Sequence, residues 1–120
     1  MIKELLMVAL GGALGSSLRY GIAQWLRESV FPLGTLLVNL AGCFIIGIVL
    51  AASLKHQDFA NNWRVFLAAG FCGGLTTFSA FSLEGLQMLQ EQKMLPYILY
   101  VGGSVLFGLA ATWAGYQLLK

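Results

Sequence analysis

Between Gly70 and Ser82 the chain reads Gly70-Phe71-Cys72-Gly73-Gly74-Leu75-Thr76-Thr77-Phe78-Ser79-Ala80-Phe81-Ser82. Each glycine costs a helix about 1 kcal/mol relative to alanine, and the neighbouring hydroxyls offer backbone groups other partners. The composition of this run predicts two half-helices with a break between them. Within hydrocarbon a break frees carbonyls and amides, which are tolerated only against a cavity, an ion or another protein surface. Freed carbonyls suit a hard cation such as Na⁺, which takes oxygen ligands. The other reading is a glycine-eased helix crossing, with Ser and Thr bonded back to the preceding turn. The residues alone leave both open.

Beyond the run, Phe78 and Phe81 share a helix face at i, i+3, and Glu84 continues the stripe. Such a stripe is ordinarily packing. Aromatic rings have electropositive edges, however, and rings met edge-on attract an anion. Thr77 and Ser79 add hydroxyls within a turn. Glu84 is at odds with an anion unless it is protonated, hydrogen-bonded or offset by cations. In Gly34-Thr35-Leu36-Leu37-Val38-Asn39-Leu40-Ala41-Gly42-Cys43-Phe44-Ile45-Ile46-Gly47 a single amide, Asn39, stands in an apolar segment. Its commonest job is helix–helix glue, but an amide NH₂ also offers an anion two donors without net charge. Arg19 reads either as a side chain reaching to the membrane interface or as a charge that draws anions to a vestibule. Cys43 and Cys72 lack a C-x-x-C or histidine neighbour and read as small buried apolar residues. His56 falls in a polar loop.

These groups need apolar helices to hold them. Of 120 residues 58% are hydrophobic and only 10% charged, against about a quarter charged in soluble domains. Crossing about 30 Å of hydrocarbon takes about 20 helical residues. Four runs qualify, at residues 5–25, 34–54, 65–89 and 97–118, giving an all-α integral membrane protein of one domain. The separators carry Arg27-Glu28-Ser29, Lys55-His56-Gln57-Asp58, Gln90-Glu91-Gln92-Lys93, Pro32 and Pro96. Tyr20, Trp25, Trp63, Tyr97 and Tyr116 fall near span ends, where amphipathic rings settle. Ala13-Leu14-Gly15 after Lys3 has the look of a cleavage site, but apolar character resumes after Ser17, which favours a retained first span. Small-x-x-x-small spacings at Gly11/Gly15, Gly12/Ser16, Ser104/Gly108 and Ala111/Gly115 predict close helix contacts.

Lysine and arginine bias sets orientation. Lys3, Lys55, Arg64 and Lys120 lie on one side, and Arg19, Arg27 and Lys93 on the other, four against three. So weak a bias permits insertion both ways round and antiparallel pairing. Four helices alone fill their own centre with side chains, so inward polar groups call for an oligomer with a polar seam.

Taken together these segments resemble the Fluc (CrcB) family of fluoride channels, over essentially the whole chain. The residues are Gly11-Gly12-x-x-Gly15-x-x-x-Arg19-Tyr20 in the first span and Gly34-Thr35-Leu36-x-Val38-Asn39-x-x-Gly42 in the second. In the third they are Gly70-Phe71-x-Gly73-Gly74-x-Thr76-Thr77-Phe78-Ser79-x-Phe81-Ser82-x-Glu84. The resemblance implies an antiparallel, dual-topology homodimer with two fluoride pores and no enzymatic activity. Phe78 and Phe81 would line the pore by ring edges, and Asn39 would be the pore amide. Backbone oxygens of Gly73 and Thr76 from both subunits would hold a structural, non-transported Na⁺. Arg19 would sit in the vestibule, and Thr77, Ser79 and Glu84 in the polar surroundings of the pore. The chain departs from the family at Ala80, where a hydroxyl residue is common. A small dual-topology multidrug exporter is a rival, but it needs a deep carboxylate in a cation site, and only Glu84 lies deep. A non-conducting assembly subunit is another. Scattered basic residues disfavour nucleic acid, and neither a nucleophile–base set nor a phosphate loop is present.

Overall fold

The computed structural model describes residues 1–27 and 31–120, so Glu28 and Ser29 of the first separator lie outside the described residues. Four helical crossings follow one another: α1 (Ile2–Trp25), α2 (Leu33–Lys55), a third over Val65–Gln90, and α6 (Met94–Leu119). A short helix, α3 (Gln57–Asn62), leads into the third. The ends agree with the apolar runs to within a few residues. Pro32 immediately precedes α2. Pro96, read as a separator, lies instead in the first turn of α6. A missing N–H costs nothing there, because that amide has no intrahelical acceptor.

Large apolar side chains point outward. Leu10 is 63% exposed, Phe107 64% and Trp113 65%. The buried residues of α1 are Gly11 and Gly15, and those of α6 are Tyr100, Gly108 and Gly115. This is the arrangement expected where lipid is the solvent and helices associate through close backbone approach rather than hydrophobic burial. The longest dimension, 50 Å, is enough to cross a bilayer of about 40–45 Å with its headgroups. The chain is a multi-pass membrane protein.

Small residues set the contacts. α2 packs most extensively on α6, and α1 on the first half of the third crossing. A Cβ on Gly11 would come within 2.5 Å of the Phe66 carbonyl, and one on Gly15 would collide with the Phe71 carbonyl. On the other side, Gly47 faces the Thr112 carbonyl, and Gly115 faces that of Phe44. The Gly11/Gly15 spacing, and Gly115 of the Ala111/Gly115 spacing, are thus sites of backbone-to-backbone packing.

The third crossing is built in pieces. Val65–Cys72 is wound as a π-helix, and a single α-turn, α4 (Gly73–Leu75), completes the first half. Thr76 (φ −88°, ψ 156°) and Thr77 (φ −150°, ψ 121°) are extended, and α5 (Phe78–Gln90) makes the second half. The glycines are not the unwound residues. Gly70 and Gly74 stay within the first half, pressed against Gly11 and Gly12 of α1. Among the described residues no glycine has a positive φ. The two readings of the Gly70–Ser82 run therefore divide the work: glycines make the crossing, and the threonine pair makes the break.

Candidate functional site

The break is held by side chains. In a continuous helix the Thr77 amide would bond the Gly73 carbonyl four residues back. It donates instead to Asn39 Oδ1 at 2.8 Å, while Asn39 Nδ2 donates to the Thr77 carbonyl at 3.1 Å. The lone amide of α2 thus mimics a neighbouring strand for one residue. One of its two N–H groups is engaged, and the other remains for a second acceptor. Thr77 also caps α5, its Oγ1 accepting from the Ala80 amide at 3.1 Å and lying 3.2 Å from Ser79 Oγ. The Ala80 amide would otherwise have bonded the Thr76 carbonyl. Gly73 and Thr76 are therefore two residues whose carbonyls lose their helical partners at the break. Those of Cys72 and Gly74 are accounted for. Cys72 accepts from the Thr76 hydroxyl at 2.8 Å and from its amide at 3.0 Å, and Gly74 accepts from Arg19 Nε at 2.9 Å.

Arg19 is thus tied to the end of the first half-helix. Cations are favoured at helix C-termini, where carbonyls are unpaired. The contact engages Nε alone.

A cavity of about 470 Å³ runs along the break. Its wall includes Asn39, Gly73, Thr76, Thr77, Phe78 and Phe81, six of the residues singled out from sequence, together with Gly42, Cys43, Cys72 and Ser104. Phe78 and Phe81 lie 5.7 Å apart between ring centroids, tilted by 46°. Phe81 is half-buried, whereas Phe78 is 79% exposed. Arg19, Ser79 and Glu84 are not on this wall.

Glu84 belongs to a second cavity of about 570 Å³, lined also by Thr35, Arg27 and Lys93. Both carboxylate oxygens accept hydroxyl protons. The Thr35 hydroxyl donates to Oε2 at 3.0 Å and the Tyr100 hydroxyl to Oε1 at 2.9 Å. Tyr100 is fully buried and packs on Phe81 at 5.1 Å and edge-on with Phe31 at 5.5 Å. The line Thr35–Glu84–Tyr100–Phe81 thus joins the wall of one cavity to the wall of the other. Tyr100 and Thr35 are the functional candidates that sequence reasoning missed. A tyrosine deep in a span needs a hydroxyl partner, and a deep glutamate needs donors, so each was a signal for the other. Glu84→Ala would leave both hydroxyls without their acceptor, and we expect it to lower stability by about 1–3 kcal/mol. Glu84→Gln retains an acceptor oxygen and should cost less, as read from denaturant titration of the purified protein.

Residues 6–116 match the model of the family described as CrcB-like protein, Camphor Resistance (CrcB). The chain belongs to the CrcB family. It is 47% identical to the fluoride-specific ion channel FluC 2 of Rhodococcus jostii, over 94% of this chain and 96% of that relative. To the fluoride-specific ion channel FluC of Stutzerimonas stutzeri it is 43% identical, over 100% of this chain and 99% of the relative. The FluC of Thermus thermophilus is 45% identical, over 98% and 94% of the two chains. The matched residues include Asn39 and both halves of the third crossing.

Proposed function

We propose that this chain is a fluoride-selective channel of the bacterial plasma membrane, through which cytoplasmic fluoride leaves passively. The observation that carries this reading is the meeting of Asn39, Phe78 and Phe81 on one cavity at the broken third crossing, in a chain 42–47% identical to relatives named as fluoride channels. Fluoride holds its water tightly. A pore for it must replace hydration with several weak donors, strong enough to admit the ion and weak enough to release it. The spare N–H of Asn39, the Thr77 hydroxyl with Ser79 bonded to it just off the wall, and the rims of Phe78 and Phe81 meet that demand without a fixed cation that would trap the anion. Where family members commonly offer a further hydroxyl, Ala80 offers none, and the Thr77–Ser79 pair supplies the hydroxyls beside it.

The carbonyls of Gly73 and Thr76, freed at the break, are the hard oxygen donors a Na⁺ takes. These two residues would hold it, and when bound it supplies a fixed positive charge beside the path. Phe78, bare on this chain, favours a second copy set against the break. Nearly balanced loop charges favour that copy lying antiparallel, as a dual-topology homodimer in which both subunits contribute carbonyls. Physiologically, hydrogen fluoride crosses the membrane neutral and ionises inside, and the anion leaves down the inside-negative potential. Glu84, with both oxygens already accepting hydroxyl protons, is a poor cation-exchange carboxylate, which disfavours the exporter reading.

Liposomes carrying the purified protein should release fluoride without a proton gradient and retain chloride. Equal release of both ions, or release only when coupled to protons, would defeat the proposal.

A further inference from the structure

The ion-pathway reading leaves both cysteines unused, yet each lines the cavity at the break. Cys43 comes from α2 and Cys72 from the last residue of the π-wound segment, so they approach from two elements. Both thiols are free, and Cys72 stands one turn before Thr76, whose hydroxyl donates to its carbonyl. Cys43 is partly exposed and Cys72 is 5% exposed. Gly42, beside Cys43, faces the Thr76 side chain, so α2 and the third crossing are in close contact at this level. Cys43 Sγ also lies 3.5 Å from where a Cβ on Gly108 would stand, which places its sulfur at the small-residue contact with α6. Among the described residues no group of three or more His, Cys, Asp or Glu is placed to hold a metal. That excludes a tetrahedral zinc site but not a two-coordinate one. Soft thiolates select soft cations.

We propose that Cys43 and Cys72 form a two-thiol site for a soft, thiophilic cation such as Hg²⁺, and that its occupancy blocks the ion path. Binding breaks two S–H bonds and forms two S–Hg bonds, and it releases two protons to solvent with no change of oxidation state. The bound metal spans the groove on whose wall Asn39, Thr77 and Phe81 stand, so it obstructs by bulk as well as by charge.

The block rests on the fluoride-channel reading, whereas the site itself does not, and the experiment separates them. The purified protein is titrated with mercuric ion. We expect one Hg²⁺ per chain, two protons released per metal, and a sulfur-to-mercury absorption band in the near ultraviolet. Cys43→Ser and Cys72→Ser, each made also as alanine, should both lose that two-proton stoichiometry. In liposomes, micromolar Hg²⁺ should lower wild-type fluoride efflux at least tenfold, with recovery on adding dithiothreitol. Each single variant, compared with its own untreated rate, should need at least tenfold more metal. A single-cysteine variant as sensitive as wild type, or a double variant still blocked, overturns the two-thiol site. Correct binding with unblocked efflux overturns the block alone. Correct binding in a protein that passes no fluoride counts against the channel reading and leaves the metal site standing.

Discussion

Phe81→Ile should reduce fluoride efflux from liposomes at least tenfold while leaving the protein folded. Isoleucine keeps apolar bulk in the half-buried position between the cavity and Tyr100, so the core loses little. The substitution removes the electropositive rim, which is the one feature of phenylalanine an anion can use. Permeation rate depends exponentially on the highest barrier along the path, and about 1.4 kcal/mol there is a factor of ten. Losing one of the few donors that replace hydration should raise the barrier by at least that much. Phe78→Ile tests the same idea on a ring that packs less, since Phe78 is 79% exposed. Its effect on stability should be smaller still, so any loss of flux belongs to the pathway. Unchanged efflux in both variants would remove ring edges from the mechanism.

Asn39→Leu should be the most damaging single change to the fold and to flux together. Leucine matches the amide in size but leaves the Thr77 amide and carbonyl without the partners they have at 2.8 and 3.1 Å. A buried polar group left unmade costs about 1–3 kcal/mol, so the pair should cost about 2 kcal/mol or more. The extended Thr76–Thr77 link would then no longer be favoured over some other local winding. Asn39→Asp separates structure from permeation. Its carboxylate still accepts from the Thr77 amide, so half of the clasp survives, but it loses the donor to the Thr77 carbonyl and puts a negative charge beside the cavity. Flux should fall more steeply than stability, measured as efflux beside denaturant titration. Proportional losses in both variants would make Asn39 a purely structural clasp.

The four crossings were legible because length and apolarity alone decide what spans a bilayer, and the helix ends moved by only a few residues. Pro96 was misplaced because proline serves both as a breaker and as a first-turn residue, and only context tells which. The break was legible in kind but not in position. Propensity pointed to the glycines, yet Gly70 and Gly74 are kept helical by contact with Gly11 and Gly12, a tertiary effect that propensity does not contain. Thr76 and Thr77 unwind because Asn39, far along the chain, supplies a better partner for the Thr77 amide. Arg19 was read by its depth in a span, and its acceptor, the Gly74 carbonyl, exists only once α1 and the first half-helix are packed. Glu84 had no derivable role for the same reason: Thr35 and Tyr100 lie 49 and 16 residues away in sequence. The six residues on the cavity wall were found because they cluster in two short motifs.

A helix that halts and restarts has a tail and a head in one place. At Leu75 the first half ends in outward-facing oxygens, the negative pole of its peptide dipoles, and at Phe78 the second half begins with N–H groups, the positive pole. Only Thr76 and Thr77 stand between them. A single interruption therefore sets two regions of opposite polarity side by side. Backbone groups alone create both poles, and the one ionised side chain placed on them, Arg19, bonds the Gly74 carbonyl at the first.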